Sequence, residues 1–193
     1  MDVLRKHDSM FFFWVTMSLL IFFISGCCPV AIYGSPGDTA SCKGTIILPV
    51  ACMGEDSKNA PMAFASVTLY GDKGDIVQTK TDQNGEWAAH YLISSYYLLE
   101  AIRENIVVKQ VIGIQSGKMN DAGVANAYTT SQVMIYEVAN ELFKNALYLR
   151  EVPDLVIPDK LVEAVENDYR ECRDPFDDIN IHNIVENLVR HQF

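Results

Sequence analysis

The chain has 193 residues, 49% of them hydrophobic and 21% charged, which suits one domain or two small ones and excludes a disordered or fibrous polymer. Its formal net charge is −10, and residues 130–193 hold 13 acids against 6 bases, a local −7. Such a balance excludes a basic footprint for nucleic-acid phosphates, and it equally disfavours charge-driven binding to anionic lipid.

Residues 1–10 are short and polar, with Arg5 and Lys6. Residues 11–24 follow as fourteen positions, apolar except for Thr16 and Ser18, and Ser25, Gly26 and Cys27 close the run. A basic start, an apolar stretch and small residues before a boundary describe a secretory signal. A spanning helix needs about 20 apolar residues. Extending the run through Cys27, Cys28, Val30 and Ile32 just reaches that length, so an uncleaved single-span anchor stays open, as does an ordinary secreted product. Ile24-Ser25-Gly26-Cys27 resembles the lipobox of bacterial lipoproteins. That resemblance implies cleavage before Cys27, acylation of its thiol and new amine, and stable membrane anchoring through several acyl chains. Cys28 as the acceptor would put Ser25 where an aliphatic residue belongs, so Cys27 fits better. Residue 28 is not Asp, so the inner-membrane retention signal of enterobacterial lipoproteins is missing, and outer-membrane delivery is expected if the source has two membranes. Residues 27–41, rich in Gly, Pro, Ser and Ala, read as a flexible tether.

From residue 42 to 128 the chain is punctuated as short strands. Runs at 44–50, 64–70, 75–81, 86–91, 96–103 and 105–114 make six or seven. Asn84-Gly85 offers the positive φ angles of a tight hairpin turn, and Glu104-Asn105 a second turn. An antiparallel sandwich is the expected architecture. Lys43-Gly44-Thr45-Ile46, Ala65-Ser66-Val67-Thr68-Leu69-Tyr70, Thr79-Lys80-Thr81-Asp82-Gln83-Asn84-Gly85-Glu86-Trp87 and Tyr97-Leu98-Leu99-Glu100-Ala101 together resemble the carboxypeptidase regulatory-like domain, over some 75–85 residues. The resemblance implies a transthyretin-like (prealbumin-like) sandwich serving as a structural or binding module, with none of these residues catalytic. The insertion at 51–62 departs from that pattern. Asp82-x-Asn84-Gly85-Glu86 lacks the helices of a calcium loop and reads as a turn. Cys42 and Cys52 flank the first strand and could pair in an oxidising compartment, although a strand between them opposes the required Cα spacing.

After Tyr128 the period becomes helical. Thr129 and Gln132 suggest a capping box for a helix at 133–149, with Ile135, Val138, Ala139, Leu142, Ala146 and Leu149 on one stripe. Pro158 and Asp159 open a second helix to about Cys172, whose thiol is expected to be buried with Leu161, Val165 and Tyr169. Asp174-Pro175 breaks it, and a third runs from about 178 to 191. Segments of this kind look like those of uncharacterised bacterial lipoproteins. The expected class is therefore α+β: a signal at 1–26, a tether at 27–41, a sandwich at 42–128 and about three helices at 129–193.

Catalytic signatures are missing. The histidines are His7, His90, His182 and His191, and none precedes a Glu by three residues, as a metallocarboxypeptidase requires. His182, Glu186 and Asp178 share a helical face and could ligate a metal, but a surface ion pair is the better reading. No hydrolase elbow or phosphate loop occurs, and no cofactor is expected. The expectation is a non-catalytic binding or scaffolding lipoprotein of the bacterial cell envelope, held to membrane by its lipid and meeting an envelope protein or a glycan. The alternative is an accessory subunit of an export or surface assembly whose tail helices dock a partner. A metal-dependent enzyme ranks below both.

Overall fold

The computed structural model describes residues 39–48 and 60–192. Their strands are β1 (Ala40–Leu48), β2 (Ala60–Pro61), β3 (Ser66–Gly71), β4 (Ile76–Lys80), β5 (Glu86–Leu92), β6 (Tyr96–Arg103), β7 (Ile106–Gly113) and β8 (Met119–Ala125). The helices are α1 (Ala127–Leu142), α2 (Asp159–Arg170) and α3 (Ile179–Gln192), with a 3-10 turn at Leu149–Asp154.

Two four-stranded sheets form a sandwich. In one, β1 pairs antiparallel with β5 from Ala40↔Leu92 to Thr45↔Glu86, and with the short β2 at Ile47↔Pro61 and Leu48↔Ala60. β8 pairs with β1 in parallel, from Ser41↔Met119 to Ile46↔Ala125. The other sheet is wholly antiparallel in the order β4-β3-β6-β7. Period-two alternation sends Cys42, Ile46 and Leu48 of β1 inward, to meet Val67 and Leu69 of β3 and Tyr97, Leu99 and Ala101 of β6. Each such aliphatic side chain, fully buried, contributes about 1.5–3 kcal/mol. The α+β sandwich with C-terminal helices is thus as the alternation and the later helical period require.

The turn at Asn84-Gly85 differs from the expected hairpin. β4 and β5 belong to different sheets, so residues 81–85 cross from one layer to the other. Gly85 alone takes a positive φ, 70°, and the Asp82 carboxylate accepts from the amides of Asn84 at 2.8 Å and Glu86 at 2.9 Å. Thr81, buried at the crossing, accepts from Ala65 N at 2.7 Å and donates to Met62 O at 2.6 Å. At another corner the Tyr97 hydroxyl accepts from the amides of Ile93 (2.9 Å) and Ser94 (3.0 Å) and donates to Asp75, which also accepts from the Ser94 hydroxyl. Gly71 is required here, because a Cβ would collide with Asp75 and Ser94.

The helices are built into this frame. α1 begins earlier than the Thr129–Gln132 box suggests. Asn126 is its N-cap, accepting from the amides of Tyr128 and Thr129, while the Thr129 hydroxyl accepts from Asn126 N. The helix also ends earlier, at Leu142, and Asn145 takes a left-handed φ of 58° in the segment beyond it. Its first turn lies along β7, the edge strand of its sheet. Thr129 Oγ1 donates to Lys109 O (3.0 Å), Lys109 N donates to Thr130 Oγ1 (3.1 Å), and the hydroxyl of Tyr169 on α2 donates to Val107 O (2.8 Å). Ile135 and Ala139 of α1, Leu161, Val165 and Tyr169 of α2, and Ile181, Val185 and Val189 of α3 join one continuous core with the sandwich. On the same sheet's outer face Val111 packs with Val133 and Val152. No described helix is long and apolar enough to cross a membrane.

Removing the hydroxyl in Tyr169→Phe strands the half-buried Val107 carbonyl and takes a neighbour from the buried Thr130, whose hydroxyl lies 3.0 Å from it. The expected loss is about 1–3 kcal/mol, read as a lower urea midpoint at unchanged slope. An unshifted midpoint would show that this bond does not hold the tail.

Candidate binding pockets

The end of α2 builds an acidic pocket. Its apolar stripe runs Leu161, Val165, Tyr169, and Asp168 lies beside the last of these, three residues after Val165, with only 2% of its surface exposed. The helix stops at Arg170, Cys172 turns the chain at φ 60°, and Asp174-Pro175 prevents continuation. Arg173 then folds back so that its Nε (3.0 Å) and one terminal nitrogen (2.5 Å) both donate to Asp168 Oδ1. Its other terminal nitrogen lies 2.8 Å from Glu171. Asp168 Oδ2 has no hydrogen-bond partner among the described residues.

Asp174 and Asp178 shape the rest of the turn. Asp174 accepts from Phe176 N at 3.0 Å, and Asp178 accepts from Asn180 N at 2.6 Å at the start of α3. That amide bond holds the Asp178 carboxyl below the usual carboxylate range, whereas burial raises the carboxyl of Asp174. With Asp177, Asn105 from the β6–β7 turn and Ile179, these residues enclose about 520 Å³. Four carboxylates against one guanidinium leave a formal −3. Lys109 braces the wall from behind: its Nζ is 2.7 Å from Glu137 on α1, 3.6 Å from Glu100 on β6 and 4.3 Å from the centre of the Phe176 ring.

The described residues line other hollows as well. Tyr96, Tyr136, Tyr148, Asn140, Lys144 and Arg150 line a groove of about 670 Å³ at the C-terminal end of α1. Lys43, Lys80, Asp82, Glu86 and Trp87 line a hollow of about 420 Å³ on the other sheet, where the buried Trp87 indole N–H has no partner among the described residues. Among the described residues no group of three His, Cys, Asp or Glu side chains is placed to hold a metal ion. Glu186 pairs with Arg190 at 2.6 Å rather than with His182.

The cysteines depart from expectation. Cys27 and Cys52 lie outside the described residues. Cys42 is a free thiol facing the sandwich core, and its expected pairing with Cys52 involves a residue outside the described ones. Even-numbered positions of β1 alternate inward, and that sets its direction. Cys172, expected on a buried seam, is exposed in the turn after α2, because the helix ends two residues short of it, and it is disulfide-bonded. Sequence reasoning also passed over Asp168. The signal was there: position 168 falls three after Val165 and seven after Leu161, on the stripe that must be buried.

No protein-family model matches the chain, and no curated protein does. Among solved structures it is similar to a DUF3823 family protein from Parabacteroides merdae ATCC 43184, at 12% identity and a TM-score of 0.34, over 47% of this chain and 46% of that one. It is also similar to GBS52, the minor pilin of Streptococcus agalactiae, at 15% identity and a TM-score of 0.34, over 46% and 44%. The chain spans less than half the length of either structure, and likenesses this partial carry no functional weight.

Burial pushes the Cys42 thiol up from 9.0 to about 11. A raised thiol stabilises the fold fully below the unfolded value and loses that contribution as pH climbs from about 9 to about 11. The expected difference is on the order of 2–3 kcal/mol at about 1.4 per unit. Buried Tyr97 and Tyr169, also raised chiefly by burial, add to the alkaline loss. Denaturation curves across pH 8–11 check this against Cys42→Ala, which should fall less steeply over that range. Equal slopes would place the thiol in contact with water.

Proposed function

We propose that the chain is a lipid-anchored, non-catalytic binding or scaffolding module of the bacterial cell envelope. The observation that carries this reading is Ile24-Ser25-Gly26-Cys27 at the end of a basic-then-apolar leader, where the thiol is the one strong nucleophile and two small residues leave room for a peptidase. The folded part supports it in a second way. The polar side chains held most firmly, Thr81, Asp75, Tyr97, Thr130 and Tyr169, are committed to the backbone or to each other. The hollows on its surface suit recognition of charged or aromatic chemistry. The apolar stripe of α1 is buried against the sandwich, so an assembly partner would meet its ends, at Tyr128 and Phe143, and not its face.

Expression in a bacterium fed radiolabelled palmitate, followed by mass spectrometry of the mature N-terminus, tests the anchor. Wild-type protein should begin at an acylated Cys27 and partition with membranes. Cys27→Ala should take no label. A mature chain that retains Met1, or starts elsewhere, would sink the reading.

A further inference from the structure

The groove at the C-terminal end of α1 is assembled from separate elements. Tyr96 begins β6, Tyr136 sits on α1, and Tyr148 and Arg150 come from the start of the 3-10 turn. Two of the rings are fixed. Those of Tyr96 and Tyr136 pack against the cluster of Val111, Val133 and Val152, and a Cβ added to Gly113 of β7 would stand 3.3 Å from Tyr96 Cε1. Asn140 ties the loop after α1 to the helix. Its side-chain amide donates to the carbonyls of Tyr136 and Leu147, each at 3.1 Å, and accepts from Leu147 N at 3.2 Å.

The polar groups that line the groove are unspent. Among the described residues the hydroxyls of Tyr96 and Tyr136 have no hydrogen-bond partner, and neither Lys144 nor Arg150 forms an ion pair. Arg150 lies instead over the Tyr148 ring, 5.2 Å from its centre, and Tyr148 is 57% exposed. Asp72 supplies the one carboxylate of the lining, accepting from Ser95 N at 3.2 Å and keeping lone pairs for further donors. In a chain of net charge −10, two unpaired cations facing one acid make a local positive excess.

These features select a class of ligand. Aromatic faces pack the C–H faces of a pyranose ring, tyrosine hydroxyls and Asp72 match its hydroxyls in both directions, and the two cations match a carboxylate. About 670 Å³ lies in the range of small-ligand clefts. An acidic peptide would leave the hydroxyl-matching groups unused.

We propose that this groove binds a saccharide carrying a carboxylate, a uronic acid unit with its ring against the tyrosines and its carboxylate at Lys144 and Arg150. The proposal names a ligand for the binding reading above and does not rest on the lipid anchor. A chain acylated at Cys27 that ignores the sugars keeps the anchor and loses this ligand, and sugar binding without acylation does the reverse.

The test is amide chemical-shift titration of the ¹⁵N-labelled full chain in detergent micelles. The probes are digalacturonate and methyl glucuronide, set against the neutral digalacturonate dimethyl ester and methyl glucoside. Saturable shifts at Ser95, Asn145 and Tyr148 are expected with the acids, and the neutral probes should bind about threefold to tenfold more weakly at low salt. Lys144→Gln with Arg150→Gln should lower the acids to the level of the neutral probes, with an unchanged melting temperature because both side chains are exposed. Tyr148→Ala should weaken acid and neutral probes alike. No saturable shift with either acid, equal affinity of acid and neutral probes, or indifference to the double substitution would overturn the proposal. So would inorganic phosphate or triglutamate saturating the same amides at lower concentration than digalacturonate, which would make the groove a general anion site or a peptide site.

Discussion

The free edge of β7 is the constraint from which the rest of the architecture follows. A sheet edge presents unpaired amides and carbonyls and invites pairing with another chain. Here three hydroxyls close it. Thr129 and Thr130 take the carbonyl and amide of Lys109, and Tyr169 takes the carbonyl of Val107. Each bond nets about 0.5–1.5 kcal/mol, while a stranded group costs about 1–3. The helices are therefore not an appendage to a finished sandwich. Without them an edge and an apolar outer face, Leu98 and Val111 included, would face water.

The same contact fixes the acidic pocket. Tyr169 cannot reach Val107 unless the last turn of α2 is pressed on the β6–β7 end of the sheet, and Asp168 is its neighbour in sequence. Docking the tyrosine therefore buries the carboxylate, and Arg173 follows as its partner. Lys109 joins the two events. Its backbone receives the threonines, and its side chain lies between Glu137, Glu100 and the Phe176 ring. A buried carboxylate at this place is thus a consequence of edge closure, and its second oxygen is what edge closure leaves over.

Strand alternation and the helical stripes were legible because each reports one face of one element. Tyr96–Arg103 and the apolar seam Leu161, Val165, Tyr169 could be read directly. β8 could not. Met119–Ala125 contains Asn, Asp and Gly, buries only Ala125 fully and is held by parallel pairing with β1, some 78 residues away in sequence at Ser41↔Met119. Its strand character comes from that partner, not from its own residues. Asn84-Gly85 misled for a related reason. A turn motif specifies a local reversal but not whether the next strand pairs with the last or crosses the core. Asp168 was missed because a carboxylate on an apolar stripe looks like the stripe's edge until the docking partner is known. Cys172 was misplaced because a helix boundary two residues earlier, with a left-handed turn after it, rotates a side chain from core to solvent.

The two ends of the sandwich are chemically different. Thr39 accepts from Gly117 N at 3.3 Å, just beyond the Gly113 end of β7. Asn105 and the acidic pocket lie at the Ile106 end, and eight residues of strand separate the two by about 26 Å. The difference follows from edge closure. Tyr169 docks on Val107, next to the Ile106 end, so the acidic turn that follows α2 is built there and not at the other end.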